Sequence, residues 1–155
     1  MKTSLCCEVL KRLQDRTLAT AESITGGGIG SAITSVSGAS AVYKGGVVSY
    51  TNEVKHRVLG VPEETLETSG AVSGPVAAAM ARGVRELLSA DVAVSVTGLA
   101  GPGADEYGNP VGTVFVGYAD RDKTIVRHCL FSGGREEIRQ QTIEAALELI
   151  LEQAE

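Results

Sequence analysis

Ser23 stands just before the glycines Gly26, Gly27 and Gly28, and a serine at such a turn is either a helix cap or a nucleophile in need of a base. The usual base is scarce. His56 and His128 are the only histidines, too few for a multi-histidine metal site and poor material for a histidine-based triad. Both read as ordinary surface or core residues. The chain also lacks G-x-S-x-G, H-E-x-x-H and G-x-x-x-x-G-K-[ST]. What remains as partner for a serine is a lysine whose pKa is lowered by burial or nearby positive charge. Lys55 is the best placed, in the first turn of the helix expected after a strand over Val47–Thr51. There the positive end of the helix dipole and partial burial both favour the neutral amine. To accept a proton near neutrality it must fall roughly 2 to 3 units from a reference of about 10.4.

The glycines after Ser23 do not make a dinucleotide-binding fingerprint, because Ser31 or Ile33 takes the last position of G-x-G-x-x-G in each frame. They read instead as a turn opening a helix, whose unpaired amides can hold a phosphate or stabilise an oxyanion. If Ser23 lies directly before the helix start, the amides of Thr25, Gly26 and Gly27 form the oxyanion hole.

The elements that must position these residues follow from the hydrophobic pattern. Met1 to Leu13 reads as an amphipathic surface helix, broken by Glu8, Lys11 and Arg12. Thr17 to Ala21 is a short strand running into the turn and into helix-compatible Ile29 to Ile33. Gly45 and Gly46 precede Val47–Thr51, a β-branched and aromatic run that predicts a buried strand, with Asn52 as cap of the next helix. Pro62 breaks that helix and Glu63 to Thr68 adds a turn. Ser73 caps an Ala-rich helix over Pro75–Leu88, whose early proline is tolerated because amides there lack partners. Val92–Thr97 is a strand that ends in a Gly- and Pro-rich loop reaching Pro110. Val111–Tyr118 and Lys123–Phe131 flank the polar cluster Asp120, Arg121, Asp122 and form a hairpin. From Arg135 the period is helical, with Ile143, Ala146, Leu147 and Ile150 on one face. Strands alternating with helices predict an α/β fold, a three-layer α/β/α sandwich with a mixed sheet. Ligands on such sheets sit where strands end in loops, here after Ala21, Thr51 and Thr97.

Bulk properties bound the function. At 155 residues the chain suits a single domain over 1–155, enough to bury roughly 70% of its unfolded surface. Hydrophobic residues at 43% and charged residues at 21% match an ordinary globular protein. A net charge of -5 argues against a nucleic-acid partner, which requires clustered cations, but leaves a small anionic ligand open. Cys6, Cys7 and Cys129 form no C-x-x-C pair and an odd number, which reads as a reducing, cytoplasmic setting. Neither a signal peptide nor a membrane span is legible. Nothing in the pattern requires a metal or a cofactor, and Ala- and Gly-rich surfaces permit a homo-oligomer.

Five motifs occur in order: Ala21-Glu22-Ser23-Ile24-Thr25-Gly26-Gly27, Tyr50-Thr51-Asn52-Glu53-Val54-Lys55, Gly70-Ala71-Val72-Ser73, Gly98-Leu99-Ala100-Gly101-Pro102 and Pro110-Val111-Gly112-Thr113-Val114. Together they span nearly the whole chain and resemble the CinA C-terminal domain, the nicotinamide-nucleotide amidase family. The resemblance implies deamidation of nicotinamide mononucleotide to nicotinic acid mononucleotide and ammonia, in the recycling of pyridine nucleotides. It implies Ser23 as nucleophile, Lys55 as base and proton donor, and Tyr50 as support of the proton relay. Substrate contacts follow at Asn52 and Thr97, with Gly98, Ala100 and Gly101 shaping the pocket around ribose or ring. Arg135 and Arg139, four residues apart on one helical face, are placed to clamp the phosphate. In longer relatives this domain follows one associated with ADP-ribose pyrophosphatase activity, which is absent here, so no such activity is expected.

Two stretches depart from the family pattern. Gly74 stands where an acidic residue commonly follows the serine of G-A-V-S, and Ala104 to Asn109 replaces the usual Gly-Gly-Ser or Gly-Gly-Thr stretch and lysine before P-V-G-T-V. Asp105 and Glu106 would repel an anionic substrate if they faced it. These departures keep two alternatives in view: a catalytically silent nucleotide-binding or subunit-interaction module, and an amidase for another small amide.

Overall fold

The computed structural model describes residues 2–155. Five strands form one sheet in the order β2-β1-β3-β4-β5, from β1 (Leu18–Glu22), β2 (Tyr43–Val48), β3 (Val92–Gly98), β4 (Thr113–Ala119) and β5 (Thr124–Leu130). β1 runs parallel to both β2 and β3, whereas β4 is antiparallel to β3 and to β5. The sheet is mixed, as the alternating elements predict. The C-terminal ends of the three parallel strands therefore lie together at one edge, each opening into a loop.

Helices cover both faces. α1 (Lys2–Arg12), α2 (Gly28–Thr34) and α6 (Arg135–Gln153) lie on one side; α3 (Asn52–Leu59), α4 (Glu63–Ser69) and α5 (Gly74–Leu87) lie on the other. Strand alternation feeds two separate cores. Val92, Val94 and Val96 of β3 and Val114, Val116 and Tyr118 of β4 pack with Ile138, Ile143, Ala146, Leu147 and Ile150 of α6. Ala19, Ala21 and Ala93 pack with Leu59, Val76, Met80 and Val84 on the opposite face. Each fully buried Val or Leu in these layers contributes roughly 1.5–3 kcal/mol relative to exposure. Larger side chains fill the α1/α6 face and alanines the α5 face, so α5 sits close: Ser95 Oγ donates to the Ala77 carbonyl at 2.6 Å.

Local chemistry sets the boundaries. Ser73 caps α5 through Val76 N–H at 3.4 Å, with Pro75 in its first turn. Asp120 Oδ1 accepts from the amides of Asp122 and Lys123 at 2.8 and 2.9 Å and so closes the β4–β5 turn. Two expectations need correction. β2 starts at Tyr43 and contains Gly45 and Gly46, and it is an edge strand whose residues alternate between half-buried and exposed. A Cβ at Gly46 would fall 2.2 Å from Thr20 Oγ1, so only glycine lets this strand lie against β1. The cap of α3 is Thr51, whose side chain accepts from Val54 N–H at 3.3 Å, and not Asn52, which is the first helical residue.

One close approach ties the fold to its chemistry. Gly83 of α5 faces the end of α3, where a Cβ would lie 2.0 Å from the Leu59 carbonyl oxygen. Alanine at a free helix position gains about 1 kcal/mol over glycine, but overpacking costs roughly 1–3 kcal/mol. We expect Gly83→Ala to lower stability in urea titration; a variant as stable as the parent or better would contradict this packing of α3 on α5.

Candidate active site

Lys55 lies one turn into α3 and is 1% exposed. Its Nζ is 3.0 Å from Ser23 Oγ, 2.7 Å from the Ser49 carbonyl oxygen and 3.4 Å from that of Tyr50. Among the described residues no carboxylate forms an ion pair with it. Burial alone lowers its pKa from 10.5 to about 8. A neutral amine has two N–H donors and one lone pair. With the donors on the two carbonyls, the lone pair is left for the Ser23 hydroxyl. Both histidines lie away from this pair: His56 contacts the Val61 carbonyl and Glu63, and His128 stacks on Phe115. Among the described residues no group of His, Cys, Asp and Glu could hold a metal ion.

Ser23 follows β1 directly and is nearly buried. Its N–H donates to Val96 O at 3.1 Å, carrying the β1–β3 pairing one residue further. The next residues form a tight turn in which Gly26 N–H returns to the Ser23 carbonyl at 3.2 Å. α2 begins only at Gly28, so Ser23 does not lie directly before the helix start, as the oxyanion hole expected from Thr25, Gly26 and Gly27 requires. The Gly26 amide is engaged, and none of the three lines the cavity. The α2 amides have another partner. Glu22, 2% exposed, accepts Ile29 N–H at 2.8 Å and Gly30 N–H at 3.0 Å, and Thr25 Oγ1 donates to the same carboxylate. The anion expected at this helix start is thus a side chain of the protein itself. An acidic residue ending an otherwise apolar strand was the signal for it, since a buried carboxylate must be hydrogen-bonded.

Ser23 and Lys55 open onto a cavity of about 390 Å³ walled by Ile24, Tyr50, Ala71, Val72, Thr97, Gly103, Arg135 and residues 98–101. Thr97, Gly98, Ala100 and Gly101 are thus brought together beside Ser23 and Lys55. Ala71, Val72 and Leu99, named in the motifs but given no role there, join them. Thr97 Oγ1 donates to the Ala71 carbonyl at 2.9 Å, tying β3 to the segment before α5. Arg135 spans the rim, donating to Gly101 O at 2.8 Å and to Tyr50 Oη at 3.3 Å.

Three expected site residues play other parts. Tyr50 meets Lys55 through its carbonyl, while its hydroxyl is turned to Arg135. Asn52 belongs to a separate depression with Glu53, His56 and Arg57. Arg139 braces the turn after Ser23, with Nε on Ile24 O at 3.2 Å, Nη2 on Thr25 O at 3.1 Å and Nη1 paired with Glu136. Its fork is filled by these contacts, and it does not line the cavity.

The departures from the family pattern sit outside the cavity lining. Gly74 faces Val126 and Phe115. Asp105 folds back on its own loop, accepting from Tyr107 N, Asn109 N and Asn109 Nδ2, and Glu106 is exposed. Tyr107 lies against Gly70 and donates to Glu67 O at 2.9 Å. Neither Asp105 nor Glu106 lines the cavity, so the condition for their repelling an anion there is not met. A larger groove of about 700 Å³ at the opposite end of the sheet mixes Arg16, Arg85 and Arg121 with Asp91, Asp120 and Asp122. No described helix is long and apolar enough to cross a membrane.

The model of the CinA C-terminal domain matches residues 2–154. A relative from Bacillus pumilus (strain SAFR-032), named for competence-damage induction, is 45% identical over 152 residues, 97% of this chain and 36% of its own length. The chain spans about a third of the length of the curated relatives it matches. Among solved structures, competence damage-inducible protein A from Klebsiella pneumoniae subsp. pneumoniae MGH 78578 is 35% identical, with 98% of this chain and 96% of that chain covered at a TM-score of 0.95. A competence/damage inducible protein from Agrobacterium tumefaciens is 39% identical, with 97% and 94% covered at a TM-score of 0.94. On sequence and fold alike, this chain belongs to the family of CinA C-terminal domains.

Proposed function

We propose that this protein is an amidohydrolase that releases ammonia from nicotinamide mononucleotide through a covalent Ser23 intermediate. The observation that carries this reading is the 3.0 Å contact between Ser23 Oγ and a lysine amine sealed from water. Neutral Lys55 takes the hydroxyl proton as Ser23 Oγ attacks the carboxamide carbon. The amide of Ile24, the residue after the nucleophile, has no partner among the described residues, and Ile24 lines the cavity, so we assign this amide as a donor to the oxyanion. Protonated Lys55 passes its proton to the leaving nitrogen, the C–N bond breaks and ammonia departs. Water then attacks the acyl carbon, Lys55 accepts its proton, and the Ser23 oxygen leaves and is reprotonated. Nicotinic acid mononucleotide is the other product.

The nucleotide half of the substrate is read from family membership together with Arg135 at the rim. A phosphate reaching the rim would exchange the Gly101 carbonyl and Tyr50 hydroxyl for charge-assisted bonds to the guanidinium. The same dyad would serve another small amide, and a comparison of substrates separates the two.

Ser23→Ala and Lys55→Ala each lose on the order of 10³-fold or more in ammonia release, with the fold retained by circular dichroism; full activity in Ser23→Ala would sink the mechanism. Because the base must be neutral and its pKa is about 8, kcat/KM climbs about tenfold per pH unit below that value and levels above it. A profile flat from pH 6 to 9 would rule out Lys55 as the base. Ammonia release measured on nicotinamide mononucleotide, nicotinamide riboside and nicotinamide favours the phosphorylated compound, and Arg135→Ala raises KM for it alone. Equal turnover of all three would remove the nucleotide from the proposal.

The same pKa has a stability consequence. Unfolded Lys55 holds its proton up to about pH 10.5, whereas folded Lys55 releases it above about 8. Its contribution to stability is therefore lowest and flat below pH 8, and rises by roughly 3 kcal/mol between pH 8 and 10.5. Urea unfolding of the parent and of Lys55→Met across this window isolates the effect: the stability difference, parent minus variant, grows with pH, and a constant difference would contradict the lowered pKa.

A further inference from the structure

Glu22 is joined to both members of the dyad by its two ends. Its buried carboxylate gathers the Thr25 hydroxyl and the first amides of α2, which fixes the turn that leaves Ser23. Its main-chain carbonyl accepts Ser49 N–H at 2.7 Å and Ser49 Oγ at 3.3 Å. The Ser49 carbonyl in turn accepts from Lys55 Nζ at 2.7 Å. One residue thus braces the nucleophile's loop with its side chain and the base's acceptor with its backbone. The three donors facing the carboxylate also specify its chemistry. Both oxygens accept and neither needs to donate, so an amide in place of the acid would set its NH2 against another donor.

We propose that Glu22 is a positioning residue that holds Ser23 Oγ in line with Lys55 and is required for the reactivity of Ser23. This rests on the Ser23–Lys55 dyad of the proposed function, though not on its substrate. The structure makes the claim specific. Arg139 pulls on the carbonyls of the same turn while Glu22 pulls on Thr25 and on the amides that follow, so the turn is stretched between an anion and a cation. Loss of the anion leaves the turn held from one side only.

The test reads Ser23 directly, independent of any amide substrate. Phenylmethanesulfonyl fluoride sulfonylates an activated serine: the Oγ–S bond forms, fluoride leaves, and the hydroxyl proton passes to the base. Labelling of Ser23, followed by mass spectrometry from pH 6 to 10, gives a rate and a midpoint. Glu22→Gln is expected to slow labelling at least tenfold with the midpoint at the parental value. Thr25→Val, which removes one donor to the carboxylate while keeping side-chain volume, is expected to slow it severalfold, and Thr25→Ser to restore it. The Thr25 pair decides the matter if Glu22→Gln does not fold. Parental rates in whichever of Glu22→Gln and Thr25→Val fold would overturn the proposal, as would a slowed rate whose midpoint moves by a unit or more, because that would mark Glu22 as a charge acting on Lys55. A parent whose Ser23 stays unlabelled overturns both the dyad and the role of Glu22. Ammonia release from nicotinamide mononucleotide is measured in parallel; its absence in a parent that labels normally counts against the substrate and leaves the positioning result standing.

Discussion

A lysine amine that is nearly sealed from water and meets no carboxylate among the described residues must be held by uncharged acceptors, and the carbonyls of Ser49 and Tyr50 do this. The rest of the site follows from that arrangement. The two carbonyls belong to the loop leaving β2, so β2 must end level with β1, and Ser49 N–H on the Glu22 carbonyl fixes this register. α3 must begin at once, which Thr51 achieves as cap. α5 must come close enough to press α3 into place, which the bare backbone at Gly83 allows. Burial that costs stability at neutral pH is the same burial that lowers the pKa of the amine to about 8.

The elements legible in the sequence are those whose signals are local. Ser73 ahead of an Ala-rich run, Asp120 between two apolar runs, and the 3.6-residue period of α6 each name their own structure. β2 was harder because glycine inside a strand makes sense only beside Thr20, which lies far away in sequence. Thr51 and Asn52 are both good caps, and residue type alone does not separate adjacent candidates. Ser23 and Lys55, which the structure places in contact, were picked out by elimination of histidine and then by motif order.

What the sequence concealed is competition. The α2 amides were a sound place to expect an anion, but Glu22 reaches them first. Arg139 was a sound phosphate ligand by spacing, but the carbonyls of Ile24 and Thr25 lie within its reach. Tyr50 carried a motif position whose contribution to Lys55 comes through its backbone, which any residue type would supply. In each case the group was rightly identified as a strong hydrogen-bonding partner and its counterpart was an internal one. Residues at a site that act through the main chain, such as Ser49, carry little signature in their side-chain type.

The loop over residues 99–110 has a different kind of support from the dyad. Asp105 and Asn109 bond to each other, Tyr107 leans on Gly70 and Glu67, and Asn109 reaches the Val72 carbonyl, so the stretch is stitched to itself, to the last turn of α4 and to the segment joining α4 to α5. The amine and its acceptors hang from β1, β2 and α3 instead. Substitutions in the loop can therefore reshape the cavity wall at residues 99–101 and 103 without disturbing the burial of Lys55, so in this fold the shape of the enclosure and the setting of the amine can drift independently.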